Sequence, residues 1–178
     1  VVNLLNLDKD EKVKAMVRVN HTENIANEYL FFVTKEGLVK RTAMTEFESI
    51  RQSGKIAITL KDDDELVAVK QTLGEDEIII AGANGKAVRF KETDVRPMGR
   101  IAGGVRAIKL EGDDEVVAME LVEPGQELLV VTQKGFGKRS EFSDFREMKN
   151  RGGMGVKCHN ITEKTGELVG IATVSEGD

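Results

Sequence analysis

Short segments of this chain recur about every 50 residues, and self-similarity of that period confines the fold to stacked copies of one small unit. ELVAV at 65–69 returns as EVVAM at 115–119 and ELVGI at 167–171. NGKAVRF at 84–90 answers EGLVKRT at 36–42 and KGFGKRS at 134–140, so Gly37, Gly85 and Gly135 share one place in the unit. GKIAITL at 54–60 matches GVRAIKL at 104–110 and, more loosely, GVKCHNI at 155–161. A poorer copy of the opening, EKVKAM, stands at 11–16. These landmarks frame one partial domain over 1–178, with repeats at 11–64, 65–114 and 115–166 and the start of another at 167–178.

Each repeat reads as β structure. YLFFVT, EIIIAG and ELLVVT are short apolar runs between Gly, Asn, Asp and Lys clusters, which suits strands buried on both faces. The shared glycine after each run predicts a tight hairpin turn. An opening run, the central apolar run, the basic run after the glycine and the closing run make about four strands per unit. Only TAMTEF and SEFSDF suggest a helical turn. Four short antiparallel strands per repeat predict an all-β, propeller-like stack of blades. Two small barrels are the rival all-β arrangement, but the repeat offsets do not fall at half the chain.

Composition closes off other classes. At 178 residues and 40% hydrophobic the chain can bury a core. Its one cysteine, Cys158, excludes an internal disulfide and fits a reducing cytoplasm. No apolar run approaches the roughly 18 residues of a membrane span. The chain starts at Val1 without a methionine and reads as a fragment of something longer. Cys158 and His159 are adjacent, poor geometry for two ligands of one metal, and the only other histidine, His21, is remote. Asp62, Asp63 and Asp64 read as a solvated turn, and Tyr29, inside an apolar run, as core. No phosphate-binding P-loop and no nucleophile elbow occurs, so no catalytic residue, metal or cofactor is assigned.

Charge follows the repeat. Residues 61–77 hold seven acids and two lysines, and 86–109 hold seven bases and two acids. Residues 111–127 then hold seven acids and no base, and 134–157 hold seven bases and three acids. Equivalent positions of a stacked array line up in space, so a net charge of -5 conceals one basic stripe and one acidic surface. A basic stripe along a curved array suits double-stranded DNA, whose phosphates release counterions to Lys and Arg. Glycines at AGG (102–104) and RGGMG (151–155) would let backbone N–H groups approach phosphate, although a loop that needs glycine merely to turn accounts for them equally well.

VVNLLNLDKDEKV, TEFESIRQSGKIAITLKDDDELVAV, GKAVRFKETDVRPMGRIAGGVRAIKLEGDDEVV and GFGKRSEF together resemble the C-terminal domain of the DNA gyrase A subunit over essentially the whole chain. The resemblance implies a β-pinwheel whose blades exchange strands, with DNA bent and wrapped around a basic rim in support of ATP-dependent negative supercoiling. It implies a non-catalytic domain of a cytoplasmic, nucleoid-associated type II topoisomerase. Its partners would be duplex DNA, the gyrase B subunit, plus the rest of the gyrase A subunit in an A2B2 enzyme that uses ATP and Mg2+ elsewhere. The family's glycine- and arginine-rich box is expected before Val1, and RGGMG resembles a degenerate copy of it, with Met154 where the box has lysine.

The expected phosphate contacts are Lys40, Arg41, Arg51, Lys55, Arg89, Arg100, Arg106, Lys138, Arg139, Lys149, Arg151 and Lys157. Backbone approach is expected at Gly103, Gly104, Gly152, Gly153 and Gly155. With aromatic residues only 4% of the chain and no recognition helix, these would grip phosphates without reading bases. The equivalent domain of topoisomerase IV and a propeller that binds protein partners are the alternatives.

Overall fold

The computed structural model describes residues 7–20, 25–49 and 54–178. Eleven strands follow in order: β1 (Tyr29–Thr34), β2 (Leu38–Ala43), β3 (Leu66–Thr72), β4 (Glu77–Gly82), β5 (Lys86–Lys91), β6 (Val105–Arg106), β7 (Val116–Leu121), β8 (Glu127–Thr132), β9 (Gly137–Glu141), β10 (Val156–Lys157) and β11 (Leu168–Val174). Three sheets result, ordered β3-β1-β2-β6, β7-β4-β5-β10 and β11-β8-β9. Among the described residues there is no α-helix, and TAMTEF and SEFSDF supply single 3-10 turns at Met44–Phe47 and Phe142–Asp144, with two more at Ile25–Asn27 and Glu92–Asp94. The sheets are open and stack face to face, which sets aside two closed barrels.

The central hairpins form as the turn glycines predict. Gly37, Gly85 and Gly135 have φ of 81°, 78° and 80°, where a Cβ would be strained. The continuous apolar character of EIIIAG comes from burial on two sides. Ile78 and Ile80 of β4 pack with Phe31, Val33, Val39 and Met119 between the first and second sheets. Ile79 and Ala81, pointing the other way by strand alternation, pack with Leu128, Val130, Phe142 and Leu168 between the second and third. Burying such an isoleucine is worth roughly 1.5–3 kcal/mol, so the middle sheet is where stacking contributes most.

Sequence order and sheet order part at both ends of the repeats: β3, which opens 65–114, pairs with β1 of the first sheet, and β7, which opens 115–166, pairs with β4 of the second. β6 follows β5 in the chain but pairs with β2 of the first sheet, Leu38 opposite Arg106 and Val39 opposite Val105. β10 likewise pairs with β5 of the second sheet. Repeats 65–114 and 115–166 therefore each give their opening and their closing run to the sheet before, and keep only the central hairpin. Two expected strands are missing. GKIAITL at 54–60, the equivalent of β6 and β10, forms no strand, because no sheet precedes the first among the described residues to receive it. EKVKAM at 11–16 forms none either. The sheet β11-β8-β9 has no fourth strand among the described residues.

Strand donation also accounts for two glycines. Gly104 and Gly155 introduce β6 and β10 with φ of 95° and 83°. A Cβ at Gly104 would lie 2.5 Å from the Val39 carbonyl oxygen, and one at Gly155 would lie 2.5 Å from that of Ala87. Close docking of the donated strand alone demands glycine there.

Candidate nucleic-acid interface

Acids gather at one edge of the first and second sheets. The acids at 62–65 and 113–115 lead into β3 and β7, which edge their sheets on the side opposite β6 and β10. Glu75, Glu77, Glu123, Glu127, Glu141 and Glu176 line a cleft between the second and third sheets, with Arg89 and Arg139 set among them against Glu77 and Glu127. Asp64 departs from the solvated-turn reading: it is buried, and its Oδ1 accepts the N–H of Glu36 and of Glu65, each at 2.9 Å. Asp114 repeats this, accepting from Asn84 at 3.0 Å and Glu115 at 2.9 Å. These aspartates tie the chain entering an edge strand to the neighbouring hairpin turn.

The expected cations divide by environment, and Arg51 lies outside the described residues. Lys40 and Arg41 leave the expected rim altogether. Lys40 is 0% exposed, and its ammonium donates to the carbonyl oxygens of Ala57, Gly99 and Arg100. Burial pushes it down to about 8 from 10.5, with Glu46 opposing and Arg100 assisting. Arg41 is also buried, donating to the Val95 carbonyl and to Glu92 at 3.4 Å, with its guanidinium 4.5 Å from the centre of the half-buried Tyr29 ring. Neither has surface to offer a phosphate: segment 54–60 and the loop at 99–100 cover Lys40, and the turn ending at Val95 covers Arg41, whereas their equivalents Lys138 and Arg139 stand exposed in the third sheet.

Arg89 is half-buried and engaged as well. It donates to Glu77 at 2.6 Å and, through Nη1, to the carbonyls of Phe142 at 2.9 Å and Phe145 at 3.2 Å. Val95 and Phe145 end equivalent 3-10 turns, so Arg41 and Arg89 are the same clamp from one sheet to the next. Arg139 repeats the motif at the open sheet, donating to Glu127 at 2.8 Å and the Ser175 carbonyl at 3.1 Å while remaining exposed. Arg100 donates to the Ile56 carbonyl at 2.8 Å, and Arg151 to that of Arg106 at 2.9 Å; both are half-buried. Lys55 is half-buried, its Nζ 3.1 Å from the Glu46 carbonyl.

Arg106, Lys138, Lys149 and Lys157 are exposed and make no side-chain hydrogen bond or ion pair among the described residues. Arg106 and Lys157 hold the second position of β6 and β10, the outer edge strands of successive sheets, and Lys138 lies on β9. The structure adds Arg96 and Arg146, both exposed and unpaired among the described residues, each directly after the residue that ends its 3-10 turn. Their recurrence 50 positions apart was the available signal. Of the glycines, Gly152 donates its N–H to the Ala107 carbonyl at 2.7 Å and so has none to offer phosphate. Gly153 is half-buried, and a Cβ there would strike the Met148 side chain. Gly103 is half-buried with Thr59 close by, while Gly104 and Gly155 serve strand docking.

Cys158 is buried, and burial pushes its thiol up to about 11, so it stands as a core side chain donating to the Gly85 carbonyl at 3.3 Å. Among the described residues no cluster of His, Cys, Asp and Glu could hold a metal ion, and no helix is long and apolar enough to cross a membrane.

Comparison with known proteins agrees with this geometry. The family model described as DNA gyrase C-terminal domain, beta-propeller, matches residues 28–72, 76–123 and 126–175, one match for each sheet's central hairpin. The DNA gyrase A protein of Clostridium acetobutylicum is 52% identical over 178 residues, all of this chain and 21% of that protein. The chain thus spans about a fifth of the length of the curated relatives it matches. Among solved structures, the C-terminal domain of DNA topoisomerase IV superposes with a TM-score of 0.86 at 29% identity, covering 98% of this chain and 54% of that one. The DNA gyrase A C-terminal domain superposes with a TM-score of 0.84 at 28% identity, covering 98% and 57%.

Proposed function

The chain belongs to the DNA gyrase C-terminal domain family, and from that membership we propose that it binds duplex DNA without sequence preference and bends it along the cation-bearing edges of its sheets. The observation that carries this is the placing of Arg106 and Lys157, exposed and unpaired among the described residues, at one position of the donated edge strand in successive sheets. Cations with no carboxylate partner hold only mobile counterions, which a phosphate displaces with a gain in entropy. Arg96 and Arg146 repeat the arrangement beside the 3-10 turns, and Lys138, Lys149, Lys55, Arg100, Arg139 and Arg151 supply further positive charge.

The acids on the opposite edges favour contact from one side. A duplex drawn onto successive sheets must curve, and bending 20–30 base pairs by 40–90° costs roughly 1–6 kcal/mol, which several phosphate contacts together offset. In the larger protein such bending would present a neighbouring DNA segment for strand passage and so support negative supercoiling. The B subunit, with the remainder of the A subunit, would carry ATP chemistry and cleavage, with the bacterial nucleoid as the place of action. Identity of 52% to a gyrase A protein favours that enzyme over topoisomerase IV, whose domain has the same fold.

The test is a duplex titration across ionic strength. Affinity should fall steeply with salt and depend little on sequence, whereas a flat salt response would favour a propeller that docks proteins.

A further inference from the structure

Lys40 is a buried cation with no carboxylate against it. Its ammonium has three N–H groups, and each meets a backbone carbonyl: Ala57 in one segment, and Gly99 at 3.1 Å and Arg100 in another. The ring of Phe32, its register partner on β1, lies 5.2 Å from Nζ. The one carboxylate nearby, Glu46, faces Arg100 instead, accepting its backbone N–H at 3.2 Å. Burying an ammonium on carbonyls alone is costly, and a hydrophobic residue serves at the equivalent place in the second sheet, where Val88 is buried. A packing role alone would not call for lysine.

What distinguishes the first repeat is the segment 54–60. Its counterparts β6 and β10 are held by ladders to β2 and β5, but 54–60 forms no strand among the described residues. One long backbone bond, from the Thr59 N–H to the Ala102 carbonyl at 3.5 Å, and side chains hold it: Arg100 takes the Ile56 carbonyl at 2.8 Å, as Arg151 takes that of Arg106, and Lys40, with no such counterpart in the second sheet, takes that of Ala57. Lys55 reaches the Glu46 carbonyl at 3.1 Å. The same ammonium holds the turn at 99–100, which leads into β6 and Arg106.

Resting on the DNA-binding reading, we propose that Lys40 is a positioning residue: a buried strut that fixes segment 54–60 against loop 99–104 and sets the spacing of Lys55, Arg100 and Arg106 along the duplex without touching phosphate itself. Substituting it should therefore disturb geometry and leave the number of neutralised phosphates unchanged.

In the wild-type chain, nitrogen-15 lysine NMR should show one ammonium in slow exchange with water, hydrogen-bonded to the carbonyls of residues 57, 99 and 100. Lys40→Met should speed exchange at least tenfold at the hydrogen-bonded amides of the two segments, Thr59, Arg100 and Ala102, with β4, β5 and β8 unaffected. It should reduce the bend of a fluorophore-labelled duplex while the salt slope stays within about 0.3 of wild type, since a lost phosphate contact would remove about 0.9. Lys40→Ala should recover the wild-type exchange pattern on addition of n-propylammonium, which supplies the missing atoms. A rapidly exchanging Lys40 ammonium, unchanged exchange in the two segments, loosening of all strands alike, a slope change near 0.9 or failure of the amine to restore order would each overturn the strut. If the wild-type chain bound no duplex, the functional reading would fall, while NMR and exchange would still judge the strut.

Discussion

Arg89 reaches out of the second sheet and donates from Nη1 to the carbonyl oxygen of Phe142, 2.9 Å away on the 3-10 turn that leaves the third. A residue that sequence order places on a DNA-facing rim is therefore a bolt between blades. Its remaining donors meet Glu77 and the Phe145 carbonyl, so truncation leaves a half-buried carboxylate and two carbonyls without partners. Arg89→Glu should destabilise the fold by roughly 2–4 kcal/mol, because it also sets two carboxylates against each other. Arg139→Glu, at the open sheet, should cost below about 1 kcal/mol. Urea unfolding with an unchanged m-value measures both, and equal losses would remove the clamp from the account.

Lys40 gives the fold a pH dependence of determinate sign. Burial holds its ammonium down at about 8 against an ordinary 10.5. Between those values the unfolded chain keeps a proton that the folded chain has released, so stability rises with pH across that window. Below about pH 8 both states are protonated and the dependence vanishes. Relative to Lys40→Met, the wild-type chain should gain roughly 2 kcal/mol between about pH 7.5 and 9.5, the increment of about 1.36 kcal/mol per pH unit above 8. Paired urea titrations at the two pH values check it; a gain on acidification would contradict the buried ammonium.

Much of this architecture is legible in the sequence because its causes are local. Glycine after an apolar run dictates the hairpins at Gly37, Gly85 and Gly135, and the unbroken EIIIAG run reports a strand packed on both faces. What sequence could not resolve is nonlocal. GVRAIKL belongs to the second repeat in chain order and to the first sheet in space, since its pairing partner β2 lies far upstream. Arg41, Arg89 and Arg139 are equivalent by motif, yet two face a following sheet and the third faces none among the described residues. Arg96 and Arg146 follow the 3-10 turns at the repeat spacing, a signal present in the sequence but outweighed by the more conspicuous cations beside the turn glycines.

Gly155 separates packing from phosphate binding in the glycine-rich loop. An alanine Cβ there would meet the Ala87 carbonyl oxygen at 2.5 Å, and φ is 83°. Gly155→Ala should destabilise the domain by roughly 1–3 kcal/mol, and Gly104→Ala, facing the Val39 carbonyl, by a similar amount. Gly99→Ala, with open space around the new methyl, should stay within about 0.5 kcal/mol. Duplex affinity per folded molecule should be unchanged in all three. A loss of affinity in Gly155→Ala at full stability would restore backbone phosphate binding to that loop.

Arg106 and Lys157 offer the most direct test of the edge as a DNA track. Both are exposed and unpaired among the described residues, so Arg106→Ala and Lys157→Ala should each alter stability by no more than about 0.5 kcal/mol. If each neutralises one phosphate, each substitution should lower the log-log salt slope by about 0.9, and the pair by about 2, because the positions lie on different sheets and act independently. Lys70 is the control: it lies on β3, at the acid-entered edge, and pairs with Glu120 at 2.8 Å, so Lys70→Ala should leave the slope unchanged. The weakening should be uniform across duplex sequences, as loss of a backbone contact requires. Adding Arg96→Ala and Arg146→Ala should lower the slope further if the 3-10 corners border the same path. Equal effects from Lys70 and from the edge cations would mean that only total charge matters and that no edge is favoured.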